Sequence, residues 1–207
     1  VGVGVIVTTI VQSSSITTVM VVGFVNAGLM TLAQAVGVIM GANIGTTITG
    51  WIIAVQIGKY GLVFIGVGFI PYLFGRKQVP KAVGKMLIAL GLIFLGLEFM
   101  SGGFKPLSNH PEFIKQLTIF DAQTFLSVLA CVAVGCVLTL IVQSSSAMLG
   151  ITIALAITGV IPFQTAAALV LGENIGTTIT ALLASIGGNI SAKRAATAHS
   201  AFNVIGV

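Results

Sequence analysis

The chain has 207 residues and a mean hydropathy of +1.15, with charged side chains at 6% against roughly 25% in an ordinary globular protein. So few charges cannot build a water-facing surface, and the 26 glycines suit helices packed closely in a membrane. Nine Lys and Arg against four acids give a net charge of +5, but the bases sit between apolar runs and form no stripe, which argues against nucleic acid as a partner.

Apolar stretches run at about 1–11, 16–25, 29–42, 48–58, 61–75, 82–100, 122–142, 147–161, 163–172, 178–190 and 195–207. The stretch Ile16–Val25 rises only about 15 Å as a helix, half of a hydrocarbon core of roughly 30 Å. It must turn back within the membrane or pair with another broken piece. Gln12-Ser13-Ser14-Ser15 precedes it, and a polar run at such depth is tolerated where it faces protein or a water-filled cavity. This places the run at the tip of a re-entrant helical hairpin, whose return arm ends near Gly28, a residue suited to a left-handed helix end. Next, Gly41-Ala42-Asn43-Ile44-Gly45-Thr46-Thr47 interrupts an apolar run and is expected as an unwound break in a transmembrane helix. The stretches 61–75 and 82–100 are then expected to cross, before an external loop at about 101–121 with Pro106 and Pro111. Cys131 and Cys136 lie in one apolar run and read as packing residues, with no disulfide framework or zinc site.

The second half repeats the first. Gln143-Ser144-Ser145-Ser146 and Gly172-Glu173-Asn174-Ile175-Gly176-Thr177-Thr178 are both offset by 131 residues from their counterparts, and residues 1–50 laid on 132–181 share twenty identities. Three crossings separate the two hairpins, and an odd number inverts the second copy. The expected fold class is therefore all-α integral membrane with two inverted-topology repeats, residues 1–81 and 82–207, each holding a re-entrant hairpin with a QSSS tip and a helix unwound at NIGTT. Arg76, Lys77, Lys81, Lys85, Lys193 and Arg194 fall on one face in this topology, and Lys59, Lys105, Glu112, Lys115 and Asp121 on the other. The positive-inside rule makes the first face cytoplasmic, as in a multi-pass protein of the cell (inner) membrane.

Ser13, Ser14, Ser15 and Ser144, Ser145, Ser146 each precede a return arm, so their hydroxyls and the first helical amides form two anion cradles. Hydroxyls both donate and accept, which suits a partly protonated oxyanion such as phosphate. Neither motif contains Lys or Arg, so bound cations must offset the charge. Na+ is a hard ion, and oxygen ligands are offered by Gln12, Asn43, Thr46, Thr47, Gln143, Asn174, Thr177, Thr178 and freed carbonyls. Coupling follows if anion and cation each bind better with the other present. Glu173 stands where the first copy has Ala42, and three roles are open to it: cation ligand, proton carrier or carboxylate in a wet vestibule. His199 and Asn203 share one helical face and read first as interhelical hydrogen-bonding residues, with a direct site role as the alternative. Glu98 reads as solvated or snorkelling, and Trp51, Tyr60 and Tyr72 as interfacial or packing aromatics. No nucleophile and base pair or transition-metal cluster is visible, so the chain does not read as an enzyme.

The paired QSSS runs, each followed at the same distance by G-x-N-I-G-T-T, resemble the type II sodium-phosphate cotransporter family in a bacterial version. The closing Ala198-His199-Ser200-Ala201-Phe202-Asn203 is similar to the family's H-x-x-F-N stretch. The resemblance implies Na+-driven uptake of inorganic phosphate with Na+ as coupling ion and no other cofactor, and it puts the Gln, Ser, Asn and Thr residues of both motifs in the substrate and Na+ region. Electrogenic members carry an acidic residue after the first GANIGTT, whereas Val55-Gln56-Ile57-Gly58-Lys59 has none. Bacterial members often carry a C-terminal regulatory domain, absent from the chain as given, and both ends are expected to be trimmed from a longer protein. Three other functions use the same residues. A Na+-independent anion channel needs the tips without cation sites, and a symporter could serve another oxyanion. A structural membrane subunit would use the polar runs for packing alone.

Overall fold

A computed structural model describes residues 1–54, 60–106, 112 and 122–207, whose regular structure is entirely helical. In the first copy α1 (Gly2–Val11) and α2 (Ser14–Asn26) form a hairpin, followed by α3 (Leu32–Ala54). Between the copies lie α4 (Gly61–Phe74) and α5 (Gln78–Phe104). The second hairpin is α6 (Phe125–Val142) with α7 (Ser145–Ile157), followed by α8 (Phe163–Thr177), α9 (Ile179–Ala184) and α10 (Ile190–Ile205). Helices α3, α5, α6 and the α8 and α9 stretch are long and apolar enough to cross a membrane. Helix α4, expected as a crossing, has 14 residues and rises about 21 Å. The loop expected from residue 101 starts later, because α5 continues to Phe104. Residues 55–59, 107–111 and 113–121, with Lys59, Pro111, Lys115 and Asp121, lie outside the described residues.

The hairpin turns are built alike. Gln12 (φ 58°) and Gln143 (φ 56°) adopt the left-handed conformation, and Ser13 and Ser144 are extended. Two linking residues thus reverse the chain. Each of these serines then caps its return arm, with Oγ accepting from the amide of Ile16 or Ala147 at 3.3 Å. At the far end, Gly28 and Gly159 both have φ +73°. Leu29 donates to the Phe24 carbonyl at 2.9 Å, and Val160 to that of Leu155 at 3.0 Å, closing both arms as expected. Thr31 and Gln34 form a reciprocal cap at the start of α3.

The expected NIGTT break is corrected by the structure in the first copy. Helix α3 runs through Gly41–Thr47 without interruption, and the second copy is interrupted only at Thr178. No carbonyl is freed in α3, because its backbone stays helical throughout, and the threonine hydroxyls bond back to their own helices. Thr46 and Thr47 donate to the carbonyls of Ala42 and Ile44 at 3.0 and 2.8 Å, while Thr177 and Thr178 donate to those of Glu173 and Ile175, both at 2.8 Å. The glycines serve contact instead of unwinding. A Cβ at Gly41 would lie 2.0 Å from the Val1 carbonyl oxygen, and one at Gly172 2.0 Å from that of Val132. Gly4 and Gly135 approach Val38 and Leu169 as closely, at 2.0 and 2.1 Å. Every one of these contacts recurs in the other copy at the same offset. The sequence signal for this packing is the four-residue spacing of Gly41 with Gly45 and of Gly172 with Gly176, which lets two helix backbones touch. Pairs of glycines also join α4 to α5, where a Cβ at Gly84 would meet the Gly68 carbonyl oxygen at 2.6 Å.

Helix α10 docks into the first copy. Ala192, Ala195 and Ala196 pack against Val21, Val22 and Val25 of α2, and Asn189 at its start is held by Asn26: its Nδ2 donates to the Asn26 main-chain oxygen at 3.0 Å and its main-chain N–H donates to Asn26 Oδ1 at 2.8 Å. Cys131 and Cys136 form no disulfide among the described residues, and Cys131 is buried. The outer surface is apolar, with Ile6, Leu62, Phe74, Ile141 and Phe163 among its exposed residues.

Candidate functional site

Each tip leaves a set of groups uncommitted. The hydroxyls and amides of Ser14, Ser15, Ser145 and Ser146 make no hydrogen bond among the described residues, so each return arm begins with two free hydroxyls and two free N–H groups. Ser14 is buried, the other five serines are half-buried, and Gln12 and Gln143 are exposed. Gln12 ties its tip to α3 by accepting from Thr49 Oγ1 at 2.8 Å, and its Nε2 donates to the Thr9 carbonyl. These bonds hold Gln12 in a backbone conformation that costs an ordinary L-residue about 1–2 kcal/mol.

A cavity of about 280 Å³ lies where the two copies meet. Asn43, Thr46 and Thr47 of α3 line it, with Asn174 of α8 and Phe202 and Asn203 of α10, and Leu149, Val170 and Leu171 supply apolar wall. Both N-I-G-T-T stretches therefore contribute, the first with three residues and the second with its Asn. The tips stand close by. Thr49, which holds Gln12, is three residues beyond Thr46, and Leu149 is four beyond Ser145, so each tip is about one helical turn from the cavity wall. The six tip serines, Gln12, Gln143, Thr177, Thr178, Glu173 and His199 are not among its lining residues.

A chain of hydrogen bonds backs the cavity. Asn203 Nδ2 donates to the His199 carbonyl at 2.9 Å, Asn43 Nδ2 donates to Asn203 Oδ1 at 3.1 Å, and His199 Nε2 stands 3.4 Å from Asn43 Oδ1. His199 and Asn203 thus form the expected interhelical bonds, and their partner is the Asn of the first motif, some 160 residues earlier.

Glu173 is sealed from solvent at 2% exposure, and Thr152 Oγ1 donates to its Oε1 at 2.7 Å. A carboxylate in a wet vestibule is thereby excluded. The two positions are Val21 and Ala42 in the first copy, both buried and apolar. The first copy instead bonds Thr8 to Thr17 at 3.0 Å, and the counterpart of Thr17 is Met148, which leaves the buried Thr139 hydroxyl without a partner among the described residues. One copy ties its return arm to the entry arm, and the other ties it to α8. In a double-mutant cycle, Thr152→Val and Glu173→Ala should each destabilise by about 1–3 kcal/mol by stranding a buried polar partner, while the double variant, which restores the apolar pair of the first copy, should cost less than the sum. Unfolding in detergent measures this, and strict additivity would show that the bond contributes nothing.

A membrane protein results, all-helical among the described residues, in which a duplicated hairpin and a glycine-packed helix flank a cavity whose mostly apolar wall carries Asn and Thr side chains from both copies. The chain belongs to the family described as Na+/Pi-cotransporter, which it matches over residues 1–102 and 115–206. It is 36% identical to YqeW of Bacillus subtilis, over 99% of this chain and 65% of that protein. It is 32% identical to YjbB of Escherichia coli K12, which is named, provisionally, for inorganic phosphate export, over 98% of this chain and 37% of YjbB. The human sodium-dependent phosphate transport protein 2B is 53% identical over 57 residues, 27% of this chain and 8% of its own length. The chain spans less than two thirds of each of these relatives. No solved structure matches it.

Proposed function

We propose that the protein is a secondary active transporter that couples inorganic phosphate to Na+, working by alternating access between two inverted-topology repeats, 1–81 and 82–207, in the cell (inner) membrane. The observation that carries this reading is the cavity lined by Asn43, Thr46, Thr47 and Asn174 from both copies, one helical turn from two serine tips with free donors. Phosphate binds the tips, Ser13 to Ser15 and Ser144 to Ser146, through hydroxyls and helix N-terminal amides, whose partial positive charge favours an anion. Na+ binds the amide and hydroxyl oxygens of Asn43, Thr46, Thr47 and Asn174, and Gln12, Gln143, Thr177 and Thr178 complete cation sites as the repeats rock. Return arms of 13 residues in both copies, too short to cross, support re-entrant hairpins. Because no base stands among the motif residues, the cation supplies the charge that the anion needs, and each strengthens the other's binding. Na+ is the coupling ion, and the chemistry calls for no further cofactor.

Labelled phosphate should accumulate in proteoliposomes under an inward Na+ gradient and not under an equal K+ gradient. Equal uptake in both would overturn the proposal. The name of YjbB favours a second reading, phosphate exit, which the same machinery performs when the phosphate gradient outweighs that of Na+. Efflux from phosphate-loaded vesicles that is indifferent to external Na+ would support an uncoupled exporter.

A further inference from the structure

The orientation of the buried amides behind the cavity follows from one fixed point. A main-chain carbonyl can only accept, so the Asn203 atom 2.9 Å from the His199 carbonyl is the amide nitrogen. Asn203 Oδ1 therefore points at Asn43, and the Asn43 atom 3.1 Å from it must be a donor, Nδ2. This leaves Asn43 Oδ1 facing His199 Nε2 at 3.4 Å, and an oxygen that can only accept requires a proton on that nitrogen. The chain of bonds thus places a proton on Nε2, and the buried Nδ1 has no partner among the described residues. His199 is fully buried and cannot turn to solvent to choose another partner.

We propose that His199 is a positioning residue for the cation in the cavity: through Nε2–H it fixes the Asn43 amide so that Oδ1 keeps its second lone pair for the ion, an inference that rests on the reading of the cavity as a Na+ site. Asn43 lines the cavity and His199 does not, so the histidine acts through the asparagine. The arrangement also explains why α10, which closes the second half, is built into the first. Asn26 holds its beginning through Asn189, alanines seat it on α2, and the Asn43 contact completes the register near its end. If the imidazole is removed, Asn43 loses the donor that holds its oxygen, and its amide is free to present nitrogen to the ion.

The test measures Na+ activation of phosphate uptake in proteoliposomes for the unaltered chain, His199→Leu, His199→Gln and Asn43→Ala. His199→Leu should raise the Na+ concentration for half-activation by about tenfold, the scale seen when a partner that orients a metal ligand is lost, with the KM for phosphate at saturating Na+ unchanged. His199→Gln, which retains an N–H donor, should recover most of that loss. Unchanged Na+ activation in His199→Leu, or equal loss in the Gln and Leu variants, would overturn the positioning role while leaving the cavity's reading intact. Unchanged activation in Asn43→Ala would instead overturn the cation cavity itself, and the inference with it. If His199→Leu fails to fold, 15N spectra of the His110→Gln protein, which keeps only this imidazole, decide the point. The proton should sit on Nε2, and its resonance should shift with Na+ but not with K+. A proton on Nδ1, or no response to Na+, would overturn the proposal.

Discussion

Gly172→Ala should yield little folded protein, whereas Gly96→Ala should fold as the unaltered chain does. A Cβ at Gly172 would lie 2.0 Å from the Val132 carbonyl oxygen and 2.8 Å from the Cys136 amide nitrogen, both main-chain atoms that cannot swing aside. The only relief is to move α6 away from α8, which also pulls apart the contacts at Gly135 and Gly176. Overpacking of a core usually costs about 1–3 kcal/mol and sometimes more, and a rigid obstacle places this case at the upper end. At Gly96 an added methyl meets nothing within 4 Å, and alanine in a helix interior is favoured over glycine by roughly 0.5–1 kcal/mol. Yield of monodisperse protein and the thermal midpoint in detergent separate the two. A Gly172→Ala protein as stable as Gly96→Ala would mean that the helix pairs are not in backbone contact.

The second large effect is expected on phosphate. Ser14→Ala and Ser145→Ala each remove a free hydroxyl from a tip, and a hydrogen bond to a charged group is worth about 1.5–3 kcal/mol, so each should weaken phosphate binding by about tenfold or more. The tips sit on different helices and share no hydrogen-bond partner, so the effects of the two substitutions should multiply to about a hundredfold. Labelled phosphate binding at saturating Na+ measures this. Loss in one variant only would assign phosphate to a single tip, and no loss in either would remove the serines from the site.

Much of this arrangement is legible in the sequence because polar runs inside apolar segments leave few choices. The two QSSS runs lie where two-residue turns reverse the chain, Gly28 and Gly159 end the return arms, and the short arms follow from their length. The continuity of α3 is not legible in this way. Gly, Asn and Thr together read as a breaker, but the distinction depends on contacts distant in sequence, such as Gly4 against Val38, and on threonines that bond back to their own helix. The left-handed Gln12 and Gln143 are hidden for a related reason, since glutamine carries no preference for that conformation and the geometry of the turn imposes it. The shared face of His199 and Asn203 is visible at a spacing of four, but Asn43 as their partner emerges only when α10 docks on α3. For Glu173, the asymmetry between copies is plain in the sequence. Its burial is not, because Thr152 meets it only once α7 packs against α8.

The claim at the centre is that cavity and tips form one coupled site, and phosphate binding measured across a series of Na+ concentrations tests it most directly. The logarithm of the phosphate Kd should fall linearly as the logarithm of Na+ concentration rises, with a slope that gives the number of coupled ions, and this dependence should flatten in Asn43→Ala while K+ has no effect. A phosphate Kd that is the same in Na+ and K+ at every concentration would contradict the coupling.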